Sequence, residues 1–162
     1  PGGMVVKNRW RNAREKSHAT RKMAEAIAHG ITAEDPDVLV KIYNASRADK
    51  NDIITEVFKS KAVLVGSPTI NKGILSAIAG ILEEIRGLGF KNKTAAAFGA
   101  YGWSGESVRM ITERLKECGF TIANDGLKLL WNPVEDAISG CRIFGSEFAR
   151  TLDKLPSNMA VK

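Results

Sequence analysis

The spacing of hydrophobic and polar residues predicts strands that alternate with helices along the whole chain. Continuous apolar runs, the pattern of strands covered on both faces, occur at Ala62–Gly66 and, with small residues, at Lys93–Gly99. Val38–Tyr43 is a further predicted strand, and Phe120–Ala123 with Leu127–Trp131 predicts one strand split by Asn124–Gly126. Apolar residues three and four apart predict helices at Thr20–Ile31, Asp49–Lys59, Ile74–Ile85, Ser104–Cys118 and Pro133–Leu152. In the second of these helices the pattern places Ile53, Ile54, Val57 and Phe58 on the inward face.

This alternation predicts an α/β domain with three layers, in which a parallel five-stranded sheet carries helices on both faces. The chain of 162 residues is long enough for one such domain with a substantial core. We expect the domain to cover residues 17–152, with a divergent basic segment before it at 1–16 and a tail at 153–162. Within the first segment, Met4–Val6 is the only apolar run, so Gly3–Val6 is expected to form a short first strand, with Lys7–Lys16 looping out into solvent.

The net charge of +6 lies entirely in the first 22 residues. That stretch holds seven basic residues and one acidic residue, whereas the 17 basic and 17 acidic residues of the remainder cancel. A basic arm of this kind either stays solvated or binds nucleic acid or an acidic partner. A module that binds RNA or DNA through this arm is therefore an alternative reading of the chain, although a solvated arm is the commoner case.

Composition argues against several other classes of protein. No apolar run approaches the ~20 residues that a membrane-spanning helix needs, and the N-terminus lacks the apolar region of a signal peptide, which indicates the cytoplasm. The two cysteines, Cys118 and Cys141, have no metal-site or redox-motif spacing and are expected to be reduced structural thiols. With only two histidines, His18 and His29, a metal site in this chain is not expected.

Three segments that follow predicted strands carry ligand-binding chemistry. The Gly-rich stretch AYGWSGES offers glycines for close backbone approach and the flat ring of Trp103. The stretch SPTIN follows the Ala62–Gly66 strand, and SHAT places hydroxyls and backbone amides at a helix N-terminus, where phosphates bind. Each segment alone has an ordinary structural explanation: a cap, a turn or a packed Trp. Their coincidence at one edge of a parallel sheet, where ligands of such sheets bind, predicts a mononucleotide with a flat ring.

At these residues the chain resembles a known family. VKIYNASRADKNDIITEVFKSKAVLVGSPTINKGI, followed by AAAFGAYGWSGESV, is similar to the flavodoxin-like domain of flavodiiron proteins, and most similar to the flavorubredoxin branch that reduces nitric oxide anaerobically. The resemblance runs from about Ser17 to Arg150 and implies a flavodoxin fold with strand order 2-1-3-4-5 and bound FMN. It implies a phosphate site formed by Ser17, His18, Ala19 and Thr20. It also implies that one side of the isoalloxazine ring is bordered by Pro68, Thr69, Ile70 and Asn71. The other side would be bordered by Ala100, Tyr101, Gly102, Trp103, Ser104 and Gly105.

The resemblance also implies a function in electron transfer. The flavin would accept electrons from a rubredoxin-type donor or an NADH-dependent reductase and pass them to a di-iron centre on another domain or subunit. No side chain of this chain is expected to act as acid, base or nucleophile. The chain carries neither the family's metallo-β-lactamase-like domain nor a CxxC pair, so by itself it is not expected to reduce nitric oxide or dioxygen at a di-iron site. The family's Tyr-Asp-Thr-Met-like turn before the phosphate site is replaced here by NAREK. Assembly into a homo-oligomer is compatible with the family.

Overall fold

The computed structural model describes residues 2–7, 17–130 and 135–153 of the chain. The strands are β1 (Gly2–Lys7), β2 (Leu39–Asn44), β3 (Ala62–Gly66), β4 (Thr94–Tyr101), β5 (Thr121–Ile122) and β6 (Leu127–Leu130). The helices are α1 (Ser17–Glu34), α2 (Lys50–Lys59), α3 (Ser76–Leu88), α4 (Glu106–Glu117) and α5 (Glu135–Asp153). The α/β class predicted from the sequence is confirmed.

All described strands are parallel, in the order β2-β1-β3-β4-β5, which is the order that the family resemblance implies. The fifth position is divided, because β5 pairs with the start of β4 and β6 pairs with its end. β1 contains the predicted Gly3–Val6 strand and pairs with β2 on one side and β3 on the other. The predicted loop at Lys7–Lys16 lies outside the described residues except for Lys7, the last residue of β1.

The sheet has one buried hydrophobic cluster on each face. Successive side chains of a strand point to opposite faces, so β3 contributes Val63 and Val65 to one cluster and Ala62 and Leu64 to the other. All five residues of β3 are buried, which agrees with its continuous apolar sequence. Helices α2, α3 and α4 cover the first cluster, and α1 and α5 cover the second. The result is the predicted three-layer arrangement.

Helices α1 and α5 pack closely through glycine. A Cβ on Gly30 would lie 2.0 Å from the backbone oxygen of Arg142, and a Cβ on Gly145 would lie 2.1 Å from that of Ile27. The same two helices are joined by the carboxylate of Glu34, the last residue of α1. It accepts a hydrogen bond of 2.5 Å from Ser146 Oγ and two bonds, of 2.7 and 2.9 Å, from the Arg150 guanidinium. The bonds from Arg150, then that from Ser146, lower the pKa of Glu34 to about 2.

Phe58 does not face inward as the helical pattern predicts. Its side chain is 66% exposed, and its ring packs at a tilt against Phe90 with 5.5 Å between centroids. Phe58 lies one residue from the end of α2, where its carbonyl accepts a hydrogen bond of 2.9 Å from Lys93 Nζ. The same ammonium donates to the carbonyl of Ser60 at 2.6 Å. Burial lowers the pKa of Lys93, whose charge is balanced by the carbonyls at the C-terminus of α2.

Both cysteines are buried free thiols, as predicted, and burial raises the pKa of each to about 11. Within the described ranges, no helix has the length and apolar character required to cross a membrane.

Candidate functional site

Three segments meet at the carboxyl edge of the sheet because β1, β3 and β4 are neighbours in it. α1 begins at this edge after β1, residues 67–75 connect β3 to α3, and residues 102–105 connect β4 to α4. The crevice outside the carboxyl ends of parallel strands is where open α/β sheets bind ligands. The topology therefore brings together the three segments that the sequence singles out.

The predicted phosphate segment forms the first turn of α1, which begins at Ser17, three residues before the predicted start. Ala19 and Thr20 are buried, with 3% and 1% of their surface exposed, whereas only the backbone of Ser17 and His18 is described. Thr20 Oγ1 is fully enclosed and has no hydrogen-bond partner among the described residues. A buried hydroxyl without a partner is rare in a folded protein, and it points to a group supplied from outside the chain.

The N-terminus of α1 also differs electrostatically from the other helix N-termini at this edge. Its first turn contains no acidic residue, whereas α2, α4 and α5 each carry an acid there. The first turn of α3 also lacks an acid, but the hydroxyl of Ser67 accepts a hydrogen bond from the amide of its N-cap residue, Leu75, at 3.1 Å. Because helix N-termini attract anions, α1 is the helix at this edge best suited to hold a phosphate.

The segment after β3 forms a tight turn beside the edge. Ile70 and Gly73 exchange backbone hydrogen bonds of 3.1 and 2.8 Å. Between them Asn71 and Lys72 both have positive φ, at 49° and 59°, a conformation strained for residues with side chains. Pro68 is buried, Thr69 and Ile70 are half-buried, and Asn71 is exposed.

The segment after β4 presents an aromatic ring to solvent. The strand runs two residues past its predicted end at Gly99, because Ala100 and Tyr101 pair with β6. Ala100 is therefore a buried strand residue and packs in the same cluster as Ala19. Gly102, Trp103 and Ser104 are exposed, and 96% of the Trp103 surface is accessible. Gly105 is buried with φ of 69°, and a Cβ there would lie 3.2 Å from the Tyr101 ring.

Side-chain hydrogen bonds join the second and third segments directly. Thr69 Oγ1 donates to Ser107 Oγ at 2.9 Å and accepts from the Ser107 amide at 3.2 Å. The Thr69 amide donates to the carbonyl of Ala100 at 2.9 Å. Ser67 and Ser107 lie within the segments SPTIN and AYGWSGES, but neither is assigned to the site from the sequence. Ser107 could have been found, because it shares the buried face of α4 with Ile111 and Leu115, where a polar side chain requires a partner.

Glu106 makes the start of α4 locally negative. A hydrogen bond of 2.6 Å from Ser104 Oγ, then the backbone amide of Glu106 itself, lower the pKa of the Glu106 carboxyl. The charges of Lys72 and Arg109 lower it further. The ionised carboxylate compensates the N-terminal dipole of α4, which leaves this helix unsuited to a second anion.

Comparison with known proteins identifies the family. A model of the Flavodoxin family matches residues 16–145. The anaerobic nitric oxide reductase flavorubredoxin of Klebsiella pneumoniae subsp. pneumoniae is 51% identical over 142 residues, which are 86% of this chain and 29% of that protein. The protein of the same name from Shigella boydii serotype 4 is 49% identical over 148 residues, which are 90% of this chain and 31% of that protein. The chain thus spans under a third of the length of these curated relatives.

Solved structures give the same result. Rubredoxin oxygen:oxidoreductase from the anaerobe Desulfovibrio gigas superimposes with a TM-score of 0.82 and 32% identity, over 94% of this chain and 36% of that one. A flavodoxin from the domain Archaea superimposes with a TM-score of 0.80 and 27% identity, over 94% of this chain and 99% of that one. Flavodoxin domains bind FMN at the sheet edge described above. The chain belongs to the flavodoxin family of FMN-binding domains, in the form found in flavorubredoxins and other flavodiiron proteins.

Proposed function

We propose that this chain holds FMN at the carboxyl edge of its sheet and serves as the electron-transfer domain of a flavodiiron-type system. The phosphate would lie at the first turn of α1, at Ser17, His18, Ala19 and Thr20. The observation that carries this assignment is the enclosed hydroxyl of Thr20, which has no hydrogen-bond partner among the described residues and lies in a helical first turn that contains no acidic residue. A phosphate oxygen accepts the hydrogen bond that this hydroxyl lacks, so the residues present fit the group.

The two walls of the ring site would come from the other two segments. Pro68, Thr69, Ile70 and Asn71 would border one side of the isoalloxazine. The opposite side would be bordered by Ala100, Tyr101, Gly102, Trp103, Ser104 and Gly105. The accessible face of Trp103 supports this arrangement, because exposed aromatic rings stack well on flat heterocycles.

In this function the protein positions the cofactor and sets its surroundings. FMN, when bound, supplies the capacity to take up and release electrons, and the chain supplies binding and electrostatics. Thr20 would donate a hydrogen bond to the phosphate, and Trp103 would cover the ring. Ala19 in the phosphate segment and Ala100 in one wall of the ring site are buried in the same hydrophobic cluster, which anchors both segments. No described side chain is required to transfer a proton or attack a substrate.

We assign redox proteins as the partners. The donor would be a rubredoxin-type protein or an NADH-dependent reductase, and the acceptor would be a di-iron centre on another domain or subunit. The names of two relatives, flavorubredoxin and rubredoxin oxygen:oxidoreductase, support a rubredoxin-type partner. The nucleic-acid alternative gains no support, since none of these relatives is named for binding nucleic acid.

The test is direct. Purified protein should show flavin absorption at about 370 and 450 nm, and protein stripped of flavin should regain these bands with one FMN per chain. The bound flavin should then be reduced by a rubredoxin-type donor or a flavin reductase with NADH. Folded protein that binds no FMN at micromolar concentration would contradict the proposal.

A further inference from the structure

The loop after β3 provides a cap for helix α4. The N-cap residue of α4 is Gly105, which has no side chain to bond the free amides of the first turn. Thr69 takes this role from 38 residues earlier in the chain, because its Oγ1 accepts a hydrogen bond from the amide of Ser107, the second residue of the helix. Serine and threonine oxygens are preferred caps when they precede a helix, and here the same bond is made across two loops.

The cap is reinforced by a second bond between the same two residues. The Thr69 hydroxyl donates to Ser107 Oγ at 2.9 Å, and Ser107 is 1% exposed. The Thr69 backbone is fixed as well, because its amide donates to Ala100 at the end of β4. Thr69 is therefore attached both to the strand before the Trp103 segment and to the helix after it.

Gly99 lies beside this attachment and has no room for a side chain. A Cβ on Gly99 would lie 2.4 Å from the Ser67 carbonyl oxygen and 2.8 Å from Ser107 Oγ. The absence of a side chain at Gly99 thus allows β4, the Ser67 backbone and Ser107 to approach one another. Loss of the Thr69 hydroxyl would remove both side-chain bonds between these residues, whereas loss of the Ser107 hydroxyl would remove one and leave the bond from the Ser107 amide to Thr69 Oγ1.

We infer that Thr69 and Ser107 form a positioning pair that fixes the two walls of the flavin-ring site relative to each other. In this role Thr69 acts through Ser107 and α4. The inference rests on the proposed function and deepens it. It attributes the spacing of the two walls around the flavin ring to the hydrogen bonds between Thr69 and Ser107. The phosphate end of the site, at α1, should not depend on this pair.

The test uses Thr69→Val, Ser107→Ala and the double variant, with Thr112→Val as the matched control. Thr112 lies on the same helix, and its hydroxyl donates to the Val108 carbonyl one turn earlier, at 2.8 Å. Each protein is stripped of flavin and titrated with FMN and with riboflavin, which has the ring but no phosphate. The midpoint potential and visible spectrum of the bound flavin and the thermal stability of the flavin-free protein are also measured.

We expect each single variant to weaken FMN and riboflavin binding by the same factor, about 3- to 10-fold, which is what the loss of a hydrogen bond produces. The double variant should lose little more than Thr69→Val alone, because Thr69→Val already removes both side-chain bonds between the two residues. Thr69→Ser, which keeps the hydroxyl, should restore affinity, potential and spectrum. Thr112→Val should match the wild type in all flavin measurements.

Several results would overturn the inference. One is a finding that the variants are less stable yet keep wild-type flavin affinity, midpoint potential and spectrum. The pair would then have a purely structural role. Another is a loss for FMN with none for riboflavin, which would place the effect at the phosphate. If the wild-type protein itself binds no flavin, the proposed function is overturned. This outcome differs from failure of the positioning pair, in which the wild type binds flavin and the variants bind it equally well.

Discussion

Thr20 combines features that rarely occur together in one side chain: nearly complete burial, a hydroxyl without a described partner, and a position in the first turn of a helix. Leaving a polar group unpaired costs about 1–3 kcal/mol, so the position is unfavourable for the protein alone. The same hydroxyl is favourable once an anion accepts a hydrogen bond from it. Thr20 is therefore a residue at which folding stability and ligand binding should respond in opposite directions.

Replacing Thr20 by valine, which has nearly the same shape, should test this. The flavin-free variant should be as stable as the wild type or more stable, since an unpaired hydroxyl is removed. FMN affinity should fall about 10- to 100-fold, the value of a hydrogen bond to a charged group. Riboflavin affinity should not change. Urea denaturation and fluorescence titration measure the two effects, and equal losses for FMN and riboflavin would contradict the phosphate assignment.

Trp103 should contribute at the other end of the site. Stacking of a nucleotide ring on an aromatic side chain is worth ~1–3 kcal/mol, so Trp103→Ala should weaken FMN binding about tenfold or more. Trp103→Phe should retain much of the affinity. Phe58→Ala, at an exposed aromatic residue outside the three site segments, is the control. An unchanged dissociation constant in Trp103→Ala would remove this residue from the site.

The sequence identifies candidate site residues best where their residue types stand out from the neighbouring sequence. The glycines and aromatic residues of AYGWSGES and the hydroxyls of SHAT are visible as a pattern, and the structure places both at one edge of the sheet. The link between Thr69 and Ser107 could not be predicted in the same way. It joins a residue of the loop after β3 to one in the first turn of α4, 38 residues later, and it depends on the close approach of β4 at Gly99.

At the scale of secondary-structure elements, the contact between α1 and α5 depends on glycine. Gly145→Ala would place a methyl group 2.1 Å from the Ile27 carbonyl oxygen, so the helices must separate. We expect a loss of about 1–3 kcal/mol in unfolding free energy, the usual cost of overpacking. Gly140→Ala, on the same helix with nothing within 4 Å of the added carbon, should instead gain about 0.5–1 kcal/mol. Equal effects in urea denaturation would contradict this account of the interface.

The bond between Glu34 and Arg150 should make the same interface sensitive to pH. Because the pKa of Glu34 is lowered from 4.5 to about 2 in the folded protein, its contribution to stability is complete above about pH 5. The contribution is lost as the pH falls from 4.5 towards 2. Glu34→Gln should therefore be less stable than the wild type at pH 7, and the difference should shrink through this window. Glu113→Gln, in an exposed pair with Arg109, is the control, and a difference independent of pH would contradict the assignment.

The ends of elements are where the sequence pattern is least informative. Apolar spacing places Phe58 on the inner face of α2, yet the residue lies next to the helix end and packs on Phe90, which is itself at the margin of the core. The extension of β4 to Tyr101 depends on pairing with β6, a strand nearly 30 residues later. Neither outcome is encoded in local periodicity, because both depend on which segment is adjacent in space.

At the scale of the whole molecule, FMN should stabilise the fold. A ligand that binds only the folded state adds about 2.7 kcal/mol at a hundredfold excess over its dissociation constant. For a domain of this size that corresponds to a rise in Tm of roughly 5–10 °C. Thermal unfolding with increasing FMN should show this rise, and Thr20→Val should need a higher FMN concentration to reach it. A Tm independent of FMN would contradict specific binding.

The overall architecture was the most predictable property of the chain. Buried apolar runs such as Ala62–Gly66 alternate with helical patterns over the whole sequence, and short-range periodicity is sufficient to indicate a parallel sheet with two helical layers. The order of the strands required the family resemblance. Periodicity indicates which segments are strands, but it does not indicate which strands are adjacent.

One end of α2 and one end of α4 are hydrogen-bonded by residues that are far away in the sequence. Lys93 bonds the C-terminal carbonyls of α2 from 35 and 33 residues away, and Thr69 bonds the first turn of α4 from 38 residues away. Neither helix end can reach its final state by local folding, because β3 and β4 must first pair to bring these groups into place. We expect amide exchange during refolding to protect the middle of α2 and α4 before their capped ends. The two ends should become protected together with the central strands, as parts of one cooperative step.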